Sequence, residues 1–390
     1  MSAPFPVWPE YAEDEIIAVE AVLRSGKVNY WSGDQGTHFE QEFASYIGSA
    51  YAIALTNGTL ALEAALYTLA IGDGDEVIVP ARTFIATASS VVMRGAIPVV
   101  ADIDLRSGNL TVETIDAALT DKTKAIIVVH LGGWPCDMPA IMAYAEAHGL
   151  KVIEDCAQAH GAEISGHKAG SFGHAAAFSF CQDKIISTGG EGGMLVTDSG
   201  KIWEKAWSLK DHGKDYALAH ESHSGSAFRW LHHSFGTNWR MTEMQAAIGR
   251  LQLKKLPHWL DQRRANAHTL FSKLKKVAGL RVPVSSSHIN PAFYRMYVFV
   301  EPSQLKPTWG RDRIVAEINR QGVPCSQGSC CEIYREQAFV RAGLSPDRPL
   351  PVARLLGETS MCFPVHPGLT QDHMRNIAAI VSGVMSEAVT

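Results

Sequence analysis

Tyr51-Ala52-Ile53-Ala54-Leu55-Thr56-Asn57-Gly58-Thr59-Leu60-Ala61-Leu62 opens the part of the chain that decides the fold. A short apolar run stops at a polar turn, and over 59–71 the apolar positions Leu60, Leu62, Ala65, Leu66 and Leu69 take helical spacing. The unit then recurs. Runs rich in β-branched residues at 76–80, 97–101, 124–130 and 151–155 alternate with helical segments, one of which, 111–119, opens on Thr111 with Glu113 and Asp116 behind it. Such alternation predicts an α/β fold, a parallel sheet whose right-handed crossovers bury both faces.

Outward from this core, 194–198 reads as one more strand, and helical stretches at 241–256 and 259–277 follow, separated at Pro257. Beyond about residue 280 come a strand-like 297–301, a helix over 311–321, an irregular Cys- and Gly-rich piece and a last helix after Pro367, together a smaller α+β domain. The predicted division is therefore 1–257, with an N-terminal helical segment, and 258–390. That first helix opens on Glu13, Asp14 and Glu15, puts Ile16, Val19 and Leu23 on one face for packing, and ends at Gly26. The chain shows no internal repeat and no low-complexity tract.

Composition narrows the function. With 390 residues, 46% hydrophobic and 19% charged, two domains are expected. The 35 basic and 40 acidic residues give −5 with no block of like charge, so neither nucleic acid nor an anionic membrane is an expected partner. Met1-Ser2-Ala3-Pro4-Phe5-Pro6 lacks a basic region followed by an apolar core, and no apolar stretch reaches the roughly 18 residues of a spanning helix, which predicts a cytoplasmic protein. The seven cysteines are odd in number and scattered, and Cys325, Cys330 and Cys331 have no second pair or His at zinc spacing. A reducing compartment and no metal site are expected.

In an open parallel sheet, ligands collect beyond the carboxyl ends of the strands. After the first strand, Gly58 and Thr59 stand at the opening of a helix whose free amides suit a phosphate, although the same turn also reads as a plain helix cap. After the second comes Phe84, able to lie over a planar ring or to fill a core. The strand ending in Glu154-Asp155 delivers an acid that could hold a ring N–H and keep a pyridinium protonated, or cap a helix. Phe178-Ser179-Phe180-Cys181-Gln182-Asp183-Lys184 then places one lysine in a polar turn before a Gly-rich stretch. Desolvated there, its amine could form an imine, whereas an ordinary lysine sits in solvent. A phosphate turn, an aromatic, an acid and a lysine on one sheet edge are what pyridoxal phosphate requires. No P-loop and no Gly-x-Gly-x-x-Gly after a first strand is present, which counts against a dinucleotide-binding dehydrogenase.

At these residues the chain resembles the DegT/DnrJ/EryC1/StrS sugar aminotransferases, a branch of the aspartate-aminotransferase fold (fold type I). The motifs appear in that family's order: Asn57-Gly58-Thr59, Glu154-Asp155-Cys156-Ala157-Gln158-Ala159-His160-Gly161, Phe178-Ser179-Phe180, Lys184, and Gly236-Thr237-Asn238-Trp239-Arg240-Met241-Thr242-Glu243-Met244-Gln245-Ala246-Ala247-Ile248-Gly249. They cover the first two thirds of the chain, and the last third matches loosely. The resemblance implies a large domain with a mainly parallel seven-stranded sheet flanked by helices, and a smaller α+β C-terminal domain. It implies that Gly58, Thr59 and Ser179 hold the phosphate of pyridoxal 5'-phosphate, that Phe84 stacks on the ring, that Asp155 pairs with the pyridine nitrogen and Gln158 with the ring hydroxyl. Lys184 would be the imine-forming lysine and the proton-moving base, with pyridoxamine phosphate formed in the cycle, and Asn238 would reach the phosphate of the neighbouring subunit in a homodimer with shared sites. Two departures bear on loop geometry: Cys181, where relatives carry His or Asn-like residues, and one more Gly between Lys184 and Glu191.

Some relatives replace the lysine by His and dehydrate sugars, so Lys184 favours amination. The expected reaction moves the amine of an amino acid, L-glutamate, to a nucleotide-linked keto-sugar in making an amino sugar for surface polysaccharide, such as lipopolysaccharide O-antigen, or a glycosylated metabolite. Thr188-Gly189-Gly190-Glu191-Gly192-Gly193 and Asn238-Trp239-Arg240-Met241-Thr242-Glu243 favour a 4-keto-6-deoxyhexose over a 3-keto sugar. An aminocyclitol aminotransferase shares every cofactor residue, and a non-catalytic regulatory protein that binds the cofactor is the reading from another class. Trp31, Ser32, His212, Arg229 and the stretch 327–332, with Glu332, are candidate substrate contacts, each with a bland alternative as core, surface charge or turn.

Overall fold

The computed structural model describes residues 5–222 and 228–390. Met1 to Pro4, the start of the stretch read as lacking a leader, and residues 223–227 lie outside the described residues. Seven strands form the large sheet: β1 (Tyr51–Leu55), β2 (Glu76–Pro80), β3 (Ile97–Ala101), β4 (Thr123–Val129), β5 (Lys151–Asp155), β6 (Ala175–Ser179) and β7 (Gly193–Thr197). Their order is β1-β7-β6-β5-β4-β2-β3. Every neighbouring pair is parallel except those of β7, which runs antiparallel to both β1 and β6. Strand–helix–strand connections carry the chain from β1 to β5, and a segment with a short hairpin at 163–168 leads to parallel β6; β7 is reversed because the turn after β6 doubles the chain back without a crossover. Apolar clusters pack on both faces, one around Ile53, Val79, Ile127 and Ile153, another around Phe39, Phe43, Phe178 and Phe180.

A smaller antiparallel sheet of β8 (Leu280–Arg281), β9 (Met296–Val300) and β10 (Ser360–Phe363) is covered by the helices Arg311–Arg320 and Gln371–Ala388. The two cores are joined by one helix, Glu243–Leu274. The break expected at Pro257 does not occur. Proline removes one helical hydrogen bond, but Leu253, Leu256 and Leu260 on either side are buried in the large core, and Ala267, Leu270 and Leu274 in the small one, so packing holds the helix through that gap. Among the described residues no helix is long and apolar enough to cross a membrane, and all seven cysteines are free thiols.

The first helix, Glu13–Ser25, ends at left-handed Gly26 as its sequence suggests, but the face chosen for packing is not the one that packs. Ile16, Ile17 and Leu23 are exposed, and Glu15 and Val22 turn inward. Glu15 is drawn in by two polar partners, the Ala12 amide at 2.6 Å and Lys255 Nζ at 3.0 Å, which outweigh the apolar stripe in setting the rotation of the helix.

The end of β5 is fastened by Glu154. Its Oε2 accepts from His130 Nε2 (2.9 Å) and the Gly170 amide (2.8 Å), and its Oε1 from the amides of Phe172 (2.8 Å) and Gly173 (2.7 Å). His130 Nδ1 accepts from the Cys136 amide, so the proton lies on Nε2, facing the carboxylate. Burial by itself would raise the Glu154 pKa, but the bond from His130 and the amides of Gly173 and Gly170 outweigh it and hold the carboxyl below its ordinary value. A folded pKa below the unfolded one gives stability that is complete above about pH 4.3 and lost as the pH falls through the folded value. Glu154→Gln, which sets an amide against these donors, should therefore lower unfolding free energy by about 1.5–3 kcal/mol at pH 7, the scale of a lost charge-assisted hydrogen bond, with the difference from wild type closing below about pH 4. Denaturant titrations at both pH values check this, and a gap unchanged in acid would mean that shape, not charge, was lost.

Candidate active site

Because side chains alternate along a strand, Asp155 projects to the face opposite Glu154. It is buried at the carboxyl end of β5, where its Oδ2 accepts from Thr87 Oγ1 (2.9 Å) and its Oδ1 from the Ala157 amide (3.1 Å), and Thr83 backs Thr87 at 2.8 Å. Burial raises the Asp155 pKa, and the bonds from Thr87 and Ala157 and the charge of Lys184 offset this in part. A cationic N–H donor is the partner such a carboxyl lacks.

Asp155 opens into a cavity of about 650 Å³ at the carboxyl edge of the sheet. Asn57 caps the helix Gly58–Thr68 through the Leu60 amide (2.9 Å), and its first turn presents Gly58 and Thr59 there, with amides that have no acceptor within the helix. Gly58 is what lets that turn lie against β6, since a Cβ would stand 2.8 Å from that of Ser179. Ser179 closes the same side. Gln158 Oε1 accepts from the Gly132 amide at 2.7 Å, which leaves its Nε2 as the free donor of a side chain lining the cavity. Phe84 stands at the rim, 68% exposed and unpacked.

Lys184 lines the cavity with its side chain 16% exposed. Its amine lies 3.5 Å from Asp183 Oδ1 and 5.3 Å from the centre of the Tyr294 ring, and the Tyr294 hydroxyl donates to Asp183. Burial would raise the Asp183 pKa, but the Lys184 charge and Tyr294 outweigh it and keep the carboxyl ionised beside the amine. The turn is held by Phe180 donating to Gly192 and Gln182 to Gly190. The additional glycine is absorbed here, with Gly189 at φ 80° and Gly190 at φ 120°. From the far end of the chain, Trp8 Nε1 donates to the Lys184 carbonyl at 2.7 Å.

Gly58, Thr59, Phe84, Asp155, Gln158, Ser179 and Lys184 thus share one cavity. The remaining candidates do not line it within one chain. Trp31, His212 and Asn238 gather instead around buried Asp211, which accepts from Trp31 Nε1 (2.8 Å), pairs in a β-bridge with Asn238 and immediately precedes His212. Ser32 binds the Asn29 carbonyl, Arg229 binds the Leu218 carbonyl and Glu221, and Glu332 binds Tyr334 and Arg335. Of the stretch around Glu332, Gly328, Ser329 and Cys330 do reach the cavity. Sequence reasoning missed Tyr294, Arg295 and Tyr297, which enter at the start of β9, and Trp8. Polar residues opening a strand of the smaller sheet were the available signal for the first three; Trp8 had none.

The profile of the DegT/DnrJ/EryC1/StrS aminotransferase family matches residues 9–382. A solved aminotransferase from Psychrobacter cryohalolentis is 53% identical, the match covering 98% of this chain and 99% of that one with a TM-score of 0.96. The UDP-N-acetyl-3-dehydro-alpha-D-glucosamine 3-aminotransferase of Acidithiobacillus ferrooxidans is 37% identical over 90% of this chain and 88% of its own length. GDP-perosamine synthase of Caulobacter vibrioides is 36% identical over 89% of each. Fold and site define a pyridoxal-phosphate-dependent aminotransferase of fold type I. Within that class, the chain belongs to the DegT/DnrJ/EryC1/StrS aminotransferase family.

The donor set fits the cofactor: a buried acid short of a cation, first-turn amides, a free side-chain amide and an unpacked aromatic surround one lysine. Gly58→Ala should push the phosphate turn off β6, costing about 1–3 kcal/mol of stability and weakening cofactor retention at least about tenfold, since a shifted turn loses charge-assisted bonds. Equilibrium dialysis against pyridoxal phosphate measures the second effect, and unaltered retention would detach that turn from the cofactor.

Proposed function

We propose that the protein transfers the amine of L-glutamate to a nucleotide-linked keto-sugar, a 4-keto-6-deoxyhexose, within a homodimer. The observation that carries the reading is the Lys184 amine opening into the cavity that also holds Asp155, Gln158 and the first turn of Gly58–Thr68. Pyridoxal phosphate, when bound, supplies an electron sink for the carbanion beside the transferred nitrogen. Asp155 would hold the ring N–H, Gln158 Nε2 the ring hydroxyl, and Gly58, Thr59 and Ser179 the phosphate, with Phe84 at the rim beside the ring. Lys184 Nζ takes the proton from the donor's α-carbon and later gives a proton to the former carbonyl carbon of the sugar, with Asp183 beside it. Thr83 and Thr87, bonded in series to Asp155, fix the orientation of its carboxylate.

The group around Asp211 supports shared sites. Asn238 and His212 are exposed and outside the cavity of their own chain, so they are free to serve the site of a second copy. Exposed Ile16, Ile17 and Leu23 on the first helix, with Phe235 fully exposed, are apolar surface that a subunit interface would cover. Chains carrying Lys184→Ala or Asn238→Ala, each expected to lose most activity alone, should regain about a quarter of wild-type activity after mixing in equal amounts and exchange of subunits, because half of the dimers are then heterodimers and each of these has one of its two sites intact. No recovery would mean that each chain builds its site alone.

Amination at C4 rests on the resemblance of the Gly-rich turn, whereas the Acidithiobacillus relative is named for a 3-keto substrate, which favours C3 as the second reading. The visible absorption of the purified protein should be bleached by L-glutamate, and Lys184→Ala should reduce amine transfer by at least about 10³-fold, the scale of a lost proton-transferring group. A panel of nucleotide-linked 3-keto and 4-keto sugars then reads the position, and reaction of the 3-keto compounds alone would overturn the C4 assignment.

A further inference from the structure

Tyr297 and Arg295 form a wall whose other side lines a second cavity, of about 400 Å³, between the large sheet and the small domain. Neither Lys184, Asp155 nor Gln158 reaches it. Exposed Arg106 and Val284 are in its lining, so it opens to the surface there. Its inner end is Arg82, which follows β2. Arg82 is 1% exposed, yet its Nε and Nη2 are buried without a hydrogen-bond partner. Among the described residues it takes part in no ion pair, and no acidic side chain lines the cavity. The guanidinium stands 4.5 Å from the centre of the Tyr297 ring and 5.5 Å from that of Phe299. Ring faces offset part of its charge but accept none of its N–H groups in ordinary hydrogen bonds. An unpaired buried cation is otherwise among the costliest groups a core can hold.

Of the other arginines in the lining, Arg295 stands in the wall shared with the first cavity, and the remaining two are tied to neighbouring backbone. Arg264 binds the carbonyls of Pro291 and Gly161, and Arg106 those of Val284 with the Ser286 hydroxyl. Much of the remaining surface is apolar, including Trp134, Phe271 and Phe293. The volume lies at the small end of the range for organic ligands.

We infer that this cavity is a second binding site, for an organic carboxylate whose acid group meets Arg82 and whose apolar body lies among Trp134, Phe271 and Phe293. The carboxylate takes the N–H groups left over on Arg82, and the apolar body replaces water on the aromatic wall. A bare anion such as inorganic phosphate gains the first interaction and not the second.

The test uses the cofactor-loaded protein with 3-phenylpropionate as probe and 3-phenylpropionamide as its uncharged counterpart. The acid should change tryptophan fluorescence saturably and raise Tm, and the amide should do neither. Trp134→Phe should remove the fluorescence change and keep the rise in Tm. Arg82→Met should bind the acid at least about tenfold more weakly, and without probe it should unfold at a higher temperature than wild type, because an unpaired buried charge has gone. If that variant does not fold, Arg82→Lys, which keeps the charge and loses the fork, should weaken binding about tenfold. Equal binding of acid and amide, unchanged affinity in the Arg82 variants, no saturable binding below about 10 mM, or competition by L-glutamate, which would place the probe beside Lys184, would each overturn the inference. Binding is read without turnover, so its failure and a failure of amine transfer are separate results.

Discussion

Four hydrogen bonds converge on the Glu154 carboxylate, and the geometry of the cavity depends on them. They pin the backbone between the hairpin at 163–168 and β6 to the end of β5, and through the two-residue period of a strand they determine where Asp155 must point. A charge held by four donors tolerates little displacement, so the neighbouring carboxylate inherits a fixed position without spending its own lone pairs on structure. Asp155 is left with Thr87 and Ala157 as partners and with burial that favours a cationic donor in front of it.

The cavity is closed by segments far apart in the chain. The Thr83 amide donates to Cys330 and the Ile333 amide to Ala81, so the loop bearing Gly328, Ser329 and Cys330 is zipped to the segment after β2 that carries Thr83 and Phe84. Trp8, packed on Trp259 and against Arg263, reaches across to the Lys184 carbonyl. Contacts of this kind tie the lysine turn to both cores, so that the amine is placed by the whole assembly rather than by its own loop, and proton transfer needs that constancy of position.

Charge is handled differently on the two sides of the Tyr297 wall. On the Lys184 side, Lys184 has Asp183 within reach, and the ring nitrogen expected of the cofactor has Asp155. On the far side Arg82 has aromatic faces and no carboxylate. The contrast separates a site whose charges balance once its cofactor is present from one that stays unbalanced in its absence.

Patterns that act over a few residues were legible in the sequence. The alternation from Tyr51 onward specified the sheet and its parallel part, because hydrophobic period and turn chemistry are local. The turn at Gly58, the acid ending β5, and Lys184 before its glycines could be named, because each strand end delivers its residues to one known edge. Rotation of the first helix, continuity of Glu243–Leu274 through Pro257, entry of Tyr294, Arg295 and Tyr297, and the grouping of Trp31, His212 and Asn238 about Asp211 belong to the tertiary structure. Most of these depend on partners far away in the chain, and no local period encodes which of several sterically allowed packings gains most from burial and from pairing its polar groups.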